Sequence, residues 1–590
     1  MIYKVIVGTL KTRTSVHVGS GKGNELADDL IHCDADGRPV IPGTAIAGAL
    51  RALLTRLTPR LIGTVCRALA ETPEERKLSC SCPVCRLFGD VNPSDEDGST
   101  SAASRLLVFN ARPLSETMPL TLIRDGVGIE RTSGVAARAG AVKFDLEVLP
   151  PGVKFDLRME LRDASEEDEQ LLAAGLAEWK AGRLWIGGRA ARGLGSIELC
   201  ELEFRAFHLN QPDQLMHYLR SDRPWERAAP VKDWLKERCE AIRSKAEVRL
   251  CGSDGRGGDP GHELPKAAVR SWLTLKATLQ ADGGVLMNDS LTAMVGGFDH
   301  APLLSRLSEW DEPVLGGAGI RGILRSHAER LARTLASRRA ANREDFLRRC
   351  PACDPNARSR VKNQYLYLES CDSLLRKIET DPGTADQYLD SICLACRLFG
   401  SPRRGSRLIV EDARFFPPPE QPKPHYKMMD FLAIDRFTGG GVNGLKFDAL
   451  ALWRPAFKFK LHLENPEEWE LGWLALVLRD MADGWLTVGF GRAKGFGRVM
   501  LTEWEATFGY LSEDGAPLGP EELGLTAEKS GVFQTVQVSP GTKGWKDVAR
   551  SWVQAFHEEV ESFVRPEALV LQKDHDFDHL EELYRYNEIF

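Results

Sequence analysis

Thirteen cysteines occur in the chain, and most of them fall into two groups. Cys66, Cys80, Cys82 and Cys85 follow the spacing C-x13-C-x-C-x2-C, whereas Cys350, Cys353, Cys393 and Cys396 follow C-x2-C-x39-C-x2-C. Thiolates are soft anionic ligands, and a Cys-x2-Cys turn offers two of them to one ion. Four per group predict two structural Zn²⁺ sites, each closed and therefore not catalytic. Cys66 is the least certain ligand by spacing, since a distant cysteine is also compatible with an ordinary buried thiol. Cys33, Cys200, Cys239, Cys251 and Cys371 have no partner by spacing and read as core or surface thiols. Disulfides are the poorer reading, because Met1 leads into an alternating segment rather than an export signal, and the expected setting is a reducing cytoplasm.

Two glycine-rich loops form the next constellation. Gly187, Gly193 and Gly195 enclose Arg189 and Arg192; Gly489, Gly495 and Gly497 enclose Arg492 and Lys494. Glycine lets backbone N–H groups come close to a phosphate, and the basic residues add charge, so the recurrence favours a polyanion over a plain tight turn. A third loop, GSGKGN from Gly19, lacks the Lys-Ser/Thr ending of a nucleotide-triphosphate loop. Carboxylates follow it: Asp28 and Asp29, then His32, Asp34 and Asp36, with Asp289 and the pair Asp299-His300 later in the chain. A carboxylate beside a phosphodiester can hold a divalent cation or orient a hydroxyl. Asp also favours glycine-rich turns for purely local reasons. No Ser/His/Asp or His-Glu-x-x-His pattern stands out, and the 12 histidines do not cluster.

The elements that must position these residues repeat. PVIPGTAIAGALR from Pro39 returns as PVLGGAGIRGILR from Pro313, and CRLFG at Cys85 returns at Cys396. RLLVFNAR from Arg105 matches RLIVEDAR from Arg407, GIERTSG near Glu130 matches AIDRFTG near Asp435, and the two glycine loops match each other. Matches in one order imply a tandem duplication over 1–205 and 268–505, with a polar linker (206–267) and an extension (506–590). Each copy opens with a period-two strand and continues into a helix whose stripe is Ile46, Ala49, Leu50, Leu53, Leu54 and Leu57 in the first and Ile320, Ile323, Leu324 and Leu331 in the second. Thr44 is the expected N-cap of the first. Further strands, a second helix and a last strand predict an α+β module of ferredoxin-like type around an antiparallel sheet.

Charge sharpens this. The chain carries 77 Lys+Arg against 84 Asp+Glu, a net −7, which argues at face value against nucleic acid. The extension alone holds 7 basic and 16 acidic residues, leaving 70 and 68 in the body. A near-neutral body with local arginines, as around Arg51 to Arg60, suits local contacts to a stretched single strand. No run of 18 apolar residues occurs, so no membrane span is expected.

Together, the early glycine-rich loop, the Asp-bearing loop, the repeated helix motif and the closing glycine loop resemble the RAMP superfamily. More narrowly, they resemble the backbone subunit of type III CRISPR effector complexes. Two units in one chain, each with a cysteine group before CRLFG, are similar to the fused double-backbone proteins of type III-D-like systems. The resemblance covers residues 1–505 and implies two RRM-like domains along a guide RNA, alongside target single-stranded RNA and other effector subunits. It implies a base-flipping thumb near Ile129 to Val148 and Ile434 to Ala451. It places the basic and glycine residues of the closing loops on RNA, together with Arg51 and Arg325, which end the helix motifs. It further implies target-RNA cleavage by an Asp before the helix motif, aided by a divalent cation such as Mg²⁺. Asp28 matches best, with Asp29 adjacent; Asp299 matches in the second copy, where Gly316 replaces Pro42 and the loop length differs. A non-cleaving RNA scaffold is the alternative. A guide-processing endonuclease of the same superfamily would use a histidine, and His17, His32 and His300 hold no clear matching position.

Overall fold

The computed structural model describes residues 2–570 apart from 64, 67–79, 81, 91–102, 130–135, 137–142, 252–267, 308–309, 355–359, 362–363, 366–368, 380–387, 418–422, 513–517 and 519–522. The first half runs β1 (Ile2–Thr12), α1 (Gly43–Leu61), α2 (Pro83–Phe88), β2 (Leu106–Val108), β3 (Leu122–Val127), β4 (Lys143–Val148), β5 (Lys154–Leu161), α3 (Glu166–Lys180) and β6 (Ile197–His208), then α4 (Pro212–Leu219), α5 (Pro224–Arg227), β7 (Ala229–Pro230) and α6 (Trp234–Cys251). The second opens with β8 (Ser271–Ala281), β9 (Gly284–Val285), α7 (Ser290–Gly296), β10 (Leu304–Leu307), β11 (Trp310–Leu315), α8 (Gly317–Arg339) and α9 (Arg343–Arg349). Its insert carries β12 (Arg360–Val361), β13 (Gln364–Tyr365), α10 (Cys371–Ile378) and α11 (Leu394–Phe399). It closes with β14 (Leu408–Val410), β15 (Ala413–Phe415), β16 (Tyr426–Ile434), β17 (Gly441–Trp453), β18 (Ala456–Glu464), α12 (Glu468–Ala482), β19 (Val499–Tyr510), β20 (Glu528–Ser530), β21 (Phe533–Val538) and α13 (Trp545–Ser562).

Each half is a mixed α+β module built on an antiparallel sheet. The first sheet has the order β2-β5-β1-β6-β7, and the second is β10-β11-β15-β18-β8-β19-β21-β20, with β14 also on β18. Alternation along β1 sends Ile6 and Leu10 into the main core and Val5 to the opposite face beside Phe207. The α1 stripe is buried at Ile46, Leu50, Leu53, Leu54 and Leu57, and each such leucine contributes roughly 1.5–3 kcal/mol. In α8, Ile320 and Leu324 are buried, while Ile323 and Leu331 pack at the core's edge. The hairpins β3–β4 and β16–β17 stand outside the main sheets, β17 pairing also with β9. They begin earlier than the expected thumbs; residues 130–135 and 137–142 of the first lie outside the described residues.

Thr44 does not cap α1. The N-cap is Pro42, whose side chain cannot accept, and the Gly43 N–H donates instead to Asn110 Oδ1 at 2.9 Å. The second module uses the matching position: Gly317 N–H donates to Asp412 Oδ1 at 2.7 Å. The cap thus comes from RLLVFNAR and RLIVEDAR, distant in sequence.

Strands β6 and β19 run past the expected boundaries at 205 and 505. The linker and the extension each carry an equivalent pair: a strand added to the module's last strand (β7 on β6, β21 on β19) followed by a helix on the module's long second helix. On α6, Trp234 stacks on Phe204 at 4.3 Å and Ile242 is buried. On α13, Phe556 stacks on Trp473 of α12 at 5.2 Å. Gly472 permits this approach, since a Cβ there would stand 1.9 Å from Trp552 O.

The two modules meet head to tail. Gly193 of the first glycine loop lies against the start of α8, where a Cβ would stand 2.4 Å from Asp412 Oδ1 and 2.9 Å from Gly317 Cα. Arg124 of β3 donates to Asp412 Oδ2 at 2.8 Å and to Ser15 Oγ at 2.9 Å. Arg56 of α1 grips Glu464 with two nitrogens at 2.8 and 3.1 Å, and Trp185 Nε1 donates to Glu411 at 3.0 Å.

Candidate metal centres and nucleic-acid interface

Short helices α2 and α11 carry the repeated CRLFG and place its cysteine against α1 or α8. In the first module the thiols of Cys66, Cys80, Cys82 and Cys85 lie within 4.8 Å of one another, with Cys66 to Cys85 at 3.3 Å and Cys82 to Cys66 at 3.8 Å. A tetrahedral Zn–S distance of about 2.3 Å sets its sulfurs about 3.8 Å apart, so this cluster has the dimensions of a zinc site. Cys82 caps α2, its sulfur accepting from Cys85 N–H.

The second cluster differs from the expected one. It consists of Cys353, Cys371, Cys393 and Cys396, all buried. Cys350 is outside it: its thiol faces Ala352 O at 3.2 Å, and its carbonyl accepts from Arg565 Nε at 2.9 Å. Cys371, expected to be an unpartnered thiol, replaces it from the first turn of α10, where Ser370 caps the helix. Hydrogen bonding with Cys371, Cys393 and Cys396 holds Cys353 well above the ordinary thiol range. Cys393, although burial pushes it up, is held well below that range by hydrogen bonds from Cys353, Cys371 and Cys396. Four soft donors of this kind suit Zn²⁺, which would staple each insert to its module.

The arginines that end the helix motifs turn toward these clusters. Arg51 is half-buried and donates to Cys85 Sγ at 3.4 Å. Arg325 is 8% exposed and donates to Glu329 (2.7 Å), Gly400 O (3.1 Å) and Cys396 Sγ (3.5 Å). The expectation of Arg325 on RNA is therefore corrected, because its guanidinium is spent inside the module. The CRLFG arginines also face inward: Arg86 pairs with Asp168 at 2.7 Å at the start of α3, and Arg397 with Glu559 of α13 at 3.1 Å.

The glycine loops are equivalent turns. Gly187, Gly193 and Gly195 have φ of 93°, 107° and 85°, and Gly489, Gly495 and Gly497 have 83°, 83° and 82°. A Cβ at Gly187 would stand 2.2 Å from His17 O, and one at Gly489 2.3 Å from Leu286 O. The N–H groups of Gly193, Gly195 and Gly497 already donate to Ala190 O, Ser15 O and Gly284 O. A phosphate cradle built on those three amides is corrected accordingly: the glycines permit close chain contact, and charge at the loops comes from side chains. Arg189 lies 3.8 Å over Phe144, Lys494 lies 5.2 Å from the Phe447 ring, and Arg192 and Arg492 are exposed.

Those phenylalanines belong to a repeated Lys-Phe-Asp on the hairpins' return strands, and its aspartate meets the loop carboxylates. Asp28 N–H donates to Asp145 O at 2.8 Å, and Asp28 Oδ2 accepts from Asp145 N–H at 2.8 Å. In the second module Asp299 N–H donates to Asp448 Oδ1 at 2.8 Å, and Asp299 Oδ2 accepts from Asp448 N–H at 2.9 Å. Asp28 and Asp299 thus occupy one position despite Gly316 and the different loop length. Both are exposed beside the middle of a hairpin's return strand. Asp145 and Asp448 stand opposite Asp125 and Asp430 in register, adding negative charge. The recurrence of Lys-Phe-Asp was the available signal for Asp145 and Asp448. Mg²⁺ keeps several waters and needs one or two carboxylates, a demand an exposed aspartate in such surroundings can meet.

The adjacent position separates the copies. Asp29 Oδ2 meets His17 Nε2 at 3.0 Å, while His17 Nδ1 faces Glu147 O at 2.7 Å. The second module has His300 there, its ring 4.2 Å from that of Phe490 and tilted by 37°, and burial lowers its pKa.

The chain matches the family model of the RAMP superfamily over residues 9–198 and 291–500, and it belongs to that superfamily. Both modules are matched, consistent with a tandem RAMP protein of the CRISPR-associated, usually RNA-binding kind. No curated protein matches the chain. Among the described residues no helix is long and apolar enough to cross a membrane.

Proposed function

We propose that the chain is a double backbone subunit of a type III CRISPR effector complex, of type III-D-like kind, holding guide RNA and cleaving the target RNA paired with it. The strand order β2-β5-β1-β6 supports the ferredoxin-like reading of each module. The observation that carries the catalytic part is the recurrence of one clasp, Asp28 with Asp145 and Asp299 with Asp448, midway along both hairpins. A hairpin there can separate one base from the paired strand, so that the ribose 2′-hydroxyl attains in-line geometry to its own phosphate. The 2′-oxygen then bonds to phosphorus as its proton passes to water, and the 5′-oxygen of the next nucleotide leaves and takes a proton from water. Asp28 and Asp299 orient the hydroxyl, and Arg189 and Lys494 offset the charge gathering on the phosphate. Mg²⁺, when bound at the aspartate, supplies Lewis-acid stabilisation of that charge.

Asp28→Ala, Asp299→Ala and the double variant are assayed on guide-complementary RNA in the reconstituted complex. Each single change is expected to abolish one set of cuts and the double change all of them, with RNA binding retained. Undiminished cleavage by the double variant refutes the catalytic reading and leaves the scaffold.

A further inference from the structure

The second cysteine cluster has a neighbour that the first lacks among the described residues. After α13 the chain turns back, and Arg565, 2% exposed, reaches into the insert. Its Nε donates to Cys350 O at 2.9 Å, and one terminal nitrogen points at Cys371 Sγ at 3.7 Å and Leu569 O at 3.5 Å. The other terminal nitrogen is buried without a hydrogen-bond partner. Its backbone N–H donates to Arg348 O at 2.8 Å, just before Cys350, and Leu569 is fully buried in the second core. Arg333 holds the same turn from α8, through Ala352 O at 3.0 Å and Cys353 O at 2.6 Å.

Charge gives this arrangement its meaning. Four thiolates around Zn²⁺ carry a net −2, costly in a site whose four cysteines are all buried. Arg325 at Cys396 and Arg565 at Cys371 bring positive charge to the thiolates, and Arg325 shares its charge with Glu329, which also faces Arg333; of these cations only Arg565 comes from the extension. At the first centre Arg51 supplies one charge, and Cys66, Cys80 and Cys82 remain partly exposed.

We infer that the C-terminal extension is the outer shell of the second zinc centre: Arg565 brings positive charge to its thiolates, so zinc in that centre and docking of α13 with residues 563–570 stabilise each other. Such coupling is reciprocal: the extension slows zinc loss, and zinc holds the extension in place. The acidic extension then has a task within its own chain, independent of RNA.

The test uses the full-length protein loaded with zinc alone, with release to a chelating dye followed by absorbance. Two equivalents are expected, one leaving fast and one slowly. Cys371→Ser should abolish the slow one, and Cys350→Ser should keep both. Arg565→Met should speed the slow equivalent by about 10- to 100-fold, as loss of a group behind a metal ligand does, and leave the fast one unchanged. Arg565→Lys, which keeps the charge but not the fork, should fall between. Hydrogen exchange of the native chain with and without zinc needs no variant: α13 amides should exchange faster once zinc is removed. Unchanged slow release from Arg565→Met, or identical α13 exchange in both states, overturns the inference.

Discussion

Asp412 performs two tasks at once, and separating them tests how the modules are joined. One carboxylate oxygen caps α8 through Gly317 N–H, and the other receives Arg124 from the first module. The side chains are 3% and 10% exposed, and Arg124 Nε is buried without a partner, so little water reaches the pair. Burial pushes the Asp412 carboxyl up, against the pull of Arg124. Removing the carboxylate strands a buried guanidinium, a change that costs about 3–5 kcal/mol, and losing a cap adds about 1 kcal/mol. Asp412→Ala is thus expected to destabilise the chain by roughly 4–6 kcal/mol by these two terms. Asp412→Asn should lose about 3–5 kcal/mol, since its one carbonyl oxygen still caps α8, as Asn110 does for α1, while its NH2 then faces Arg124 and leaves the buried guanidinium without an acceptor. Arg124→Met with Asp412→Asn should return to within about 1 kcal/mol of the native chain, because no buried charge remains. Urea unfolding followed by tryptophan fluorescence, with hydrogen exchange in the first turns of α8, measures the series. Equal losses in Asp412→Ala and the Arg124→Met/Asp412→Asn pair would refute the reasoning, as would a loss below about 1 kcal/mol in Asp412→Ala.

Two further expectations follow from contacts above. Gly193→Ala should lower the melting temperature well beyond Gly495→Ala: both residues have positive φ, costing about 1–2 kcal/mol, but only at Gly193 does a Cβ meet Asp412 and Gly317, while Gly495 faces open space. Asp168 is fully buried and receives Arg86, Arg105 and Ser165; burial pushes its carboxyl up, but these partners outweigh it and hold the pKa below the ordinary 3.8. Its stabilisation is therefore present above that value and lost as pH falls through the lower folded value. Asp168→Asn should cost about 3 kcal/mol near neutrality, and the difference from the native chain should shrink in acid unfolding curves below pH 3.8.

The duplication and the α1 stripe were legible because they rest on local pattern: repeated motifs, and apolar residues at helical spacing that any core must bury. The alignment of Asp299 with Asp28 was also readable, through order along the chain rather than loop length. What escaped depends on residues far apart in sequence. Cys350 looked like half of a Cys-x2-Cys knuckle, but α10 brings Cys371 to the cluster and Arg565 takes the Cys350 carbonyl. Thr44 looked like a cap because the true one, Asn110, comes from another strand. Arg325 looked basic and available because a sequence does not reveal which face of α8 meets CRLFG. The glycine loops were correctly read as requiring glycine, but for contact with His17 O and Leu286 O rather than for a free amide cradle.

The seating of Gly193 on the start of α8 gains a particular character from being within one polypeptide. Separate chains must offset the loss of translational and rotational freedom on meeting, and need a large apolar patch or high concentration to do it. Tethered ends meet at an effective concentration in the millimolar range or above, so two glycines, one buried ion pair and a few polar contacts can hold the arrangement. Freed from supplying affinity, such contacts fix orientation. The first module's glycine loop faces the second module's α8, never the reverse, and the order of the two halves along any bound strand is written into the gene as well as the interface.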